Sequence, residues 1–166
     1  MKTFVAVIIV TGLFLTAASV AMRADHPHAG QNLKDAQWSP APPLLPQGAE
    51  IAVLEGDPTK PVPYAVRLRF PAHYAIPAHS HPTDEHVVVT SGALVFGMGD
   101  VLDERSSANT KLTAGGFVDA SANVNHFAFT RDEVTTIVLY GLGPVEFKYV
   151  NPKDDPRNQR DAVKRQ

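Results

Sequence analysis

The sequence predicts an all-β domain, a sandwich or barrel of short strands. Three observations point there. Fourteen prolines and eleven glycines cut the 166 residues into short segments, a punctuation that favours turns over long helices. Roughly nine β-branched or alternating runs follow one another at close spacing. No stretch after the N-terminus carries a sustained helical apolar period. An apolar content of 44% argues against overall disorder. The formal charge of −2, with no block of like charges, excludes a nucleic-acid footprint, which needs clustered Lys and Arg.

Residues 1–21 have the pattern of a signal peptide. Lys2 supplies the positive start, Phe4 to Thr16 the apolar run, and Ala17-Ala18-Ser19-Val20-Ala21 the small residues for cleavage near Ala21 or, less well, Ala24. The run is marginal for crossing about 30 Å of hydrocarbon, so no stable membrane insertion is expected after processing. A periplasmic or secreted location follows as an expectation. The chain has no cysteine, which removes lipid anchoring through a thiol, disulfides and thiolate metal sites together. Residues 22–48 form an irregular Pro-rich arm, because Pro40, Pro42, Pro43 and Pro46 can neither donate to a sheet nor sit inside a helix. Trp38, Leu44 and Leu45 are its anchors, packed across the domain or across a partner chain.

The folded body is expected over residues 49–150. Ile51 to Leu54 is a short strand ended by Gly56-Asp57-Pro58. Tyr64 to Phe70 alternates, with Val66, Leu68 and Phe70 on one face and Arg67 and Arg69 on the other. His86 to Thr90 has the composition of a buried strand, and Ser91-Gly92 turns it into Ala93–Gly99. Asp103 to Thr110 is a polar loop, and Leu112 to Val118 turns through Gly115-Gly116. His126–Phe129, the β-branched Val134–Tyr140 and Val145–Val150 complete the strands. Residues 151–166 form a charged, Pro-broken tail expected to fray.

The chemistry concentrates in His79-Ser80-His81-Pro82-Thr83-Asp84-Glu85. Two histidines one residue apart on an extended segment project to the same side. A carboxylate after a Pro-containing turn can return toward the same point. Neutral imidazoles with a carboxylate are a usual ligand set for a borderline divalent metal. His26-Pro27-His28 repeats the pair without a carboxylate at the matching distance and carries no such expectation.

These residues resemble a cupin. The family's first motif is similar to His79-x-His81, three residues, Glu85, six residues, Gly92; the second is similar to Gly115, five residues, then Ser121-Ala122-Asn123-Val124-Asn125-His126. The family's leading glycine is His73 here, its proline is Ser121, its second-motif glycine is Asn123, and its final asparagine is Thr130. Asn is the best substitute for glycine in a left-handed conformation. The resemblance spans about residues 50–150 and implies a double-stranded β-helix (jelly-roll) cupin barrel behind the Pro-rich arm. It further implies that His79, His81, Glu85 and His126 point into the barrel mouth and hold one divalent transition metal. It is similar to the small exported bacterial single-domain cupins.

Mn, Zn, Cu, Fe and Ni all suit imidazole and carboxylate ligands, and export to an oxidising space leans toward Mn, Zn or Cu. Open coordination positions would polarise a substrate oxygen or acidify bound water; Glu85 could also ligate weakly and swing away. Strand parity offers Phe96, Met98, Phe127, Phe129 and Tyr140 either as pocket wall or as plain core. Arg67 and Arg69 are either a solvated face or anion-binding groups near the mouth. Tyr64, Tyr74, His73 and His86 are the available extra acids and bases. The expected function is a mononuclear metal-dependent enzyme that oxidises, decarboxylates or isomerises a small oxygen-rich molecule. The other class is a non-catalytic metal- or small-ligand-binding protein. A homodimer would suit the Trp38 arm and the sheet edges.

Overall fold

The computed structural model describes Gly30 and residues 32–158. The expectations for the signal segment, its cleavage site, His26-Pro27-His28 and the last part of the tail lie outside the described residues. Among the described residues there are eleven strands: β1 (Ser39–Pro40), β2 (Glu50–Glu55), β3 (Pro63–Phe70), β4 (Ala75–Ser80), β5 (Glu85–Ser91), β6 (Ala93–Met98), β7 (Thr110–Thr113), β8 (Phe117–Ala120), β9 (His126–Thr130), β10 (Thr135–Leu142) and β11 (Lys148–Tyr149). They form two antiparallel sheets, six-stranded β1-β2-β3-β10-β5-β8 and five-stranded β11-β4-β9-β6-β7.

The core lies between the sheets because each strand sends alternate residues inward. Val66, Leu68 and Phe70 of β3, Val87 and Val89 of β5, and Ile137 and Leu139 of β10 meet Ile76 of β4, Leu94 and Phe96 of β6, and Ala128 of β9. The expectation of a wholly buried strand after Glu85 is corrected. Val87 and Val89 are buried while His86 and Val88 are half-buried on the outer face. The five-stranded sheet is covered on both faces. Phe127, Phe129 and Val95 form a second cluster on its far side, packed against Ala75 and Leu102. That is why every residue of β9 is buried. The last strand is shorter than expected, two residues in place of six.

Among the described residues seven positions have positive φ, and three of them matter here. Gly92, between β5 and β6, has φ of 74°, and a Cβ there would stand 2.5 Å from the Val134 carbonyl oxygen. His73 (φ 56°) and Asn123 (φ 61°) occupy the two positions where this chain departs from a glycine of the resembled motifs. Both residues therefore hold a left-handed backbone without being glycine.

The arm packs across its own domain. The Arg69 guanidinium lies 4.4 Å from the centre of the Trp38 ring and pairs with Glu50. Leu45 is buried in the main core. The Tyr74 hydroxyl donates to the Pro46 carbonyl at 2.6 Å, and the Tyr149 hydroxyl to the Leu44 carbonyl at 2.7 Å. The start of the tail is also fastened, contrary to the expected fraying: Arg157 donates to the Phe147 carbonyl at 2.9 Å and pairs with Asp155.

Candidate metal centre

β4 carries His79 inward, the chain places His81 one residue past its end, and β9 opens with His126. His79 and His126 are direct cross-strand partners. Their ring centroids are 4.5 Å apart, with His81 4.8 Å from His79 and 5.1 Å from His126. One nitrogen from each ring lies within 4.8 Å of the other two. All three side chains are buried.

Each ring is held by a backbone carbonyl. The Nδ1 atoms of His79, His81 and His126 donate to the carbonyls of Pro77 (2.6 Å), Glu146 (2.8 Å) and Val124 (3.0 Å). A carbonyl can only accept, so each Nδ1 carries the hydrogen and each Nε2 keeps its lone pair. Burial also disfavours the charged ring. It holds His81 and His126 down at about 4, and His79 well below its ordinary value with further depression from its two neighbours. Three neutral imidazoles with fixed tautomers are what a metal requires of such ligands.

Glu85 stands beside this group and not within it. Its Oε2 is 3.3 Å from His81 Nε2, and its Oε1 accepts a hydrogen bond from the Tyr64 hydroxyl at 3.1 Å. The three histidines form the mutually close set, and Glu85, expected as the fourth ligand, flanks that set at His81. Burial pushes Glu85 up to about 7, against the Tyr64 hydrogen bond, which favours the carboxylate. Burial and the nearby Glu85 charge push the Tyr64 hydroxyl up. The His81 lone pair and the Glu85 oxygen are both acceptors, so their approach calls for a proton or a cation between them. The residues present therefore fit a divalent ion.

The walls are aromatic. Phe147 stacks on His79 at 4.5 Å and meets His81 edge-on at 4.5 Å; Phe96 stacks on His126 at 5.2 Å. They enclose a void of about 40 Å³ that also touches Glu85, Ile137 and Leu139. Sequence reasoning offered Phe96 as wall or core and missed Phe147. The alternation of Val145, Phe147 and Tyr149 was the available signal.

The other expected wall and anion residues lie elsewhere. Met98 sits opposite His126 in the register but is 59% exposed at the strand end and does not line the void. Tyr140 is on the outer face of the six-stranded sheet, its ring 5.0 Å from that of His86. Arg67 and Arg69 share that outer face, because Val66 and Leu68 take the inward positions of β3. Arg67 donates to the Asn32 carbonyl at 3.3 Å, and Arg69 is engaged by Glu50 and Trp38. Phe127 and Phe129 belong to the second cluster. Of the extra acids and bases, Tyr64 alone reaches the site. Tyr74 is spent on Pro46, His73 is exposed beside Asp132, and His86 faces outward near Asp119.

This two-sheet barrel with its histidines at one end is the fold of the RmlC-like cupins, the double-stranded β-helix proteins. An RmlC-like cupin from Ralstonia eutropha JMP134 superposes with a TM-score of 0.56 at 18% identity, covering 81% of this chain and 83% of that one. The polyketide cyclase RemF from Streptomyces resistomycificus gives 0.64 at 11% identity over 81% of this chain and 93% of its own. The DMSP lyase DddQ from Ruegeria pomeroyi DSS-3 gives 0.50 at 21% identity over 65% and 56%. No family model and no curated protein matches the sequence.

Proposed function

We propose that this chain is an exported, mononuclear metal-dependent enzyme of the cupin fold that acts on a small molecule. The observation that carries the reading is the set of three buried, neutral imidazoles whose Nδ1 hydrogens are all committed to backbone carbonyls. His79, His81 and His126 would hold the ion, with Glu85 as a fourth or exchangeable ligand. A divalent ion bound there supplies Lewis acidity toward a substrate oxygen. Glu85, hydrogen-bonded through Oε1 to Tyr64, presents Oε2 on the His81 side, where it would ligate the ion or, once displaced from it, take up a proton. Phe96 and Phe147 keep water from the rings. Solved proteins of the same fold include a cyclase and a lyase, which is support by analogy, since one fold hosts many reactions. The signal pattern of residues 1–21 supports export to a periplasm or the cell exterior.

A second reading has its own observation. The void at the histidines, about 40 Å³, is small, which favours a non-catalytic protein that holds a metal or a small ligand. Metal analysis and a turnover screen test both readings. Purified mature protein should contain close to one first-row metal (Mn, Fe, Ni, Cu or Zn) per chain, and His79→Ala should lose it. Equal metal content in wild type and variant would overturn the site. Turnover of a panel of carbonyl compounds, alcohols and acids, abolished by Glu85→Gln with metal retained, supports the enzyme; saturable binding without product supports the second reading.

A further inference from the structure

A second, larger cavity of about 100 Å³ adjoins the histidine site, and the arm forms its roof. Leu44 and Leu45 of the arm, Ile51, Val66, Val145 and Phe147 all line it. Leu45, Leu68, Glu85, Leu139 and Phe147 are walls of both cavities, so the two voids abut at the Glu85 edge. The roof is tied down by the two tyrosine hydroxyls that hold the Leu44 and Pro46 carbonyls.

The polarity of the lining is one-sided. Thr59, Tyr64 and Glu85 are its only polar side chains. The Thr59 hydroxyl is spent on Asp57 at 2.6 Å. That leaves Tyr64 and Glu85, bonded to each other on the side that meets the histidines. A molecule in this chamber would touch hydrocarbon everywhere except at that edge. A polyol or hydroxy-diacid would leave buried oxygens without partners, which is unfavourable. An apolar cavity of about 150 Å³ accommodates benzene, so this one, of about 100 Å³, suits a body of about four carbon atoms beyond the head.

We infer that the roofed chamber is the ligand pocket of the histidine centre, and that it takes a small molecule with an apolar body and one polar head. The head lies at the Tyr64–Glu85 edge, and the body lies under Leu44 and Leu45. The direction of the head toward a metal rests on the function proposed above; the chamber itself does not. The inference narrows the oxygen-rich substrate expected from sequence to one with its oxygen at a single end.

The probe is pentan-1-ol, with glycerol and tartrate as oxygen-rich comparators, added to metal-loaded full-length mature protein and followed by methyl NMR. Pentan-1-ol should shift the methyl signals of Leu44, Leu45, Ile51 and Val66 saturably, and more tightly than either comparator binds. Val145→Phe, at a half-buried loop position, should fill the chamber and weaken pentan-1-ol at least tenfold while metal content stays at the wild-type level. Val66→Phe should do the same, and Val145→Phe keeps the test intact if the buried change fails to fold. Unshifted chamber methyls, unchanged affinity in the filled variants, or tighter binding of glycerol or tartrate would overturn the inference. Saturable pentan-1-ol binding by a wild-type protein that holds no metal supports the chamber and overturns the metal reading, so the two can fail separately.

Discussion

A ring nitrogen whose hydrogen is already given to a carbonyl leaves its partner nitrogen able only to accept, and this chain arranges that three times around one point. Removing any of those rings removes a ligand, whereas Glu85 sits to one side, shared between His81 and Tyr64. His126→Ala should therefore weaken metal binding by more than the roughly 10–100-fold typical of outer-shell changes. Glu85→Gln should stay within about that range, as measured by competition with a chelator. Parity of loss in the two variants would make Glu85 a full ligand. The His79, His81 and Glu85 cluster was legible because ligand spacing on an extended segment is a local property. His126 came only through the resemblance to a known motif. The carbonyls of Pro77, Val124 and Glu146 were not legible, since any residue supplies a carbonyl and only the fold decides which one faces a ring. Tyr64 was legible as a tyrosine on a strand, but not as the partner of Glu85.

At the scale of elements, alternation recovered β3, the Ser91-Gly92 turn located β6, and β-branched composition located most of β10, while the facing of side chains was not legible where both faces of a sheet are covered. Phe127 and Phe129 were offered as pocket wall or core; they are core, but of the second cluster outside the barrel. No local pattern shows which loop will cover a face. The arginines of β3 were offered two roles, and the inward turn of Val66 and Leu68 sends them to the outer face. The β5–β6 turn gives the sharpest elemental test. Gly92→Ala forces a left-handed alanine whose Cβ meets the Val134 carbonyl, so a loss of about 1–3 kcal/mol is expected in urea unfolding. Asn123→Gly, at a position already left-handed, should change stability by less than about 1 kcal/mol. Equal losses at the two sites would refute the assignment of strain.

For the molecule as a whole, the buried centre sets a pH dependence in the metal-free protein. His81 and His126 are depressed from 6.5 to about 4, and His79 lies well below 6.5. Each unfolded ring takes up a proton below 6.5 that the folded ring refuses. Stability from these groups is thus present above 6.5 and lost as pH falls toward 4. Glu85, raised from 4.5 to about 7, acts oppositely: its contribution is present below 4.5 and lost as pH rises through 7. Three rings outweigh one carboxyl, so the metal-free protein should melt at a lower temperature at pH 5 than at pH 7. Metal loading, which needs neutral rings, should raise Tm at pH 7 and do so less at pH 5. A metal-free Tm that rises on acidification over this range would contradict the burial of neutral histidines. The irregular backbone around Pro42, Pro43 and Pro46 was legible from proline placement. The arm's role as a roof was not, because it depends on Tyr74 and Tyr149 reaching carbonyls from the far sheet.

X-ray absorption at the metal edge of protein purified with its native metal tests the central claim most directly. The predicted spectrum shows one metal per chain with three imidazole ligands, reduced in number or lost with the metal in His79→Ala and His126→Ala. A protein without stoichiometric metal, or a first shell that both substitutions leave unchanged, would contradict it.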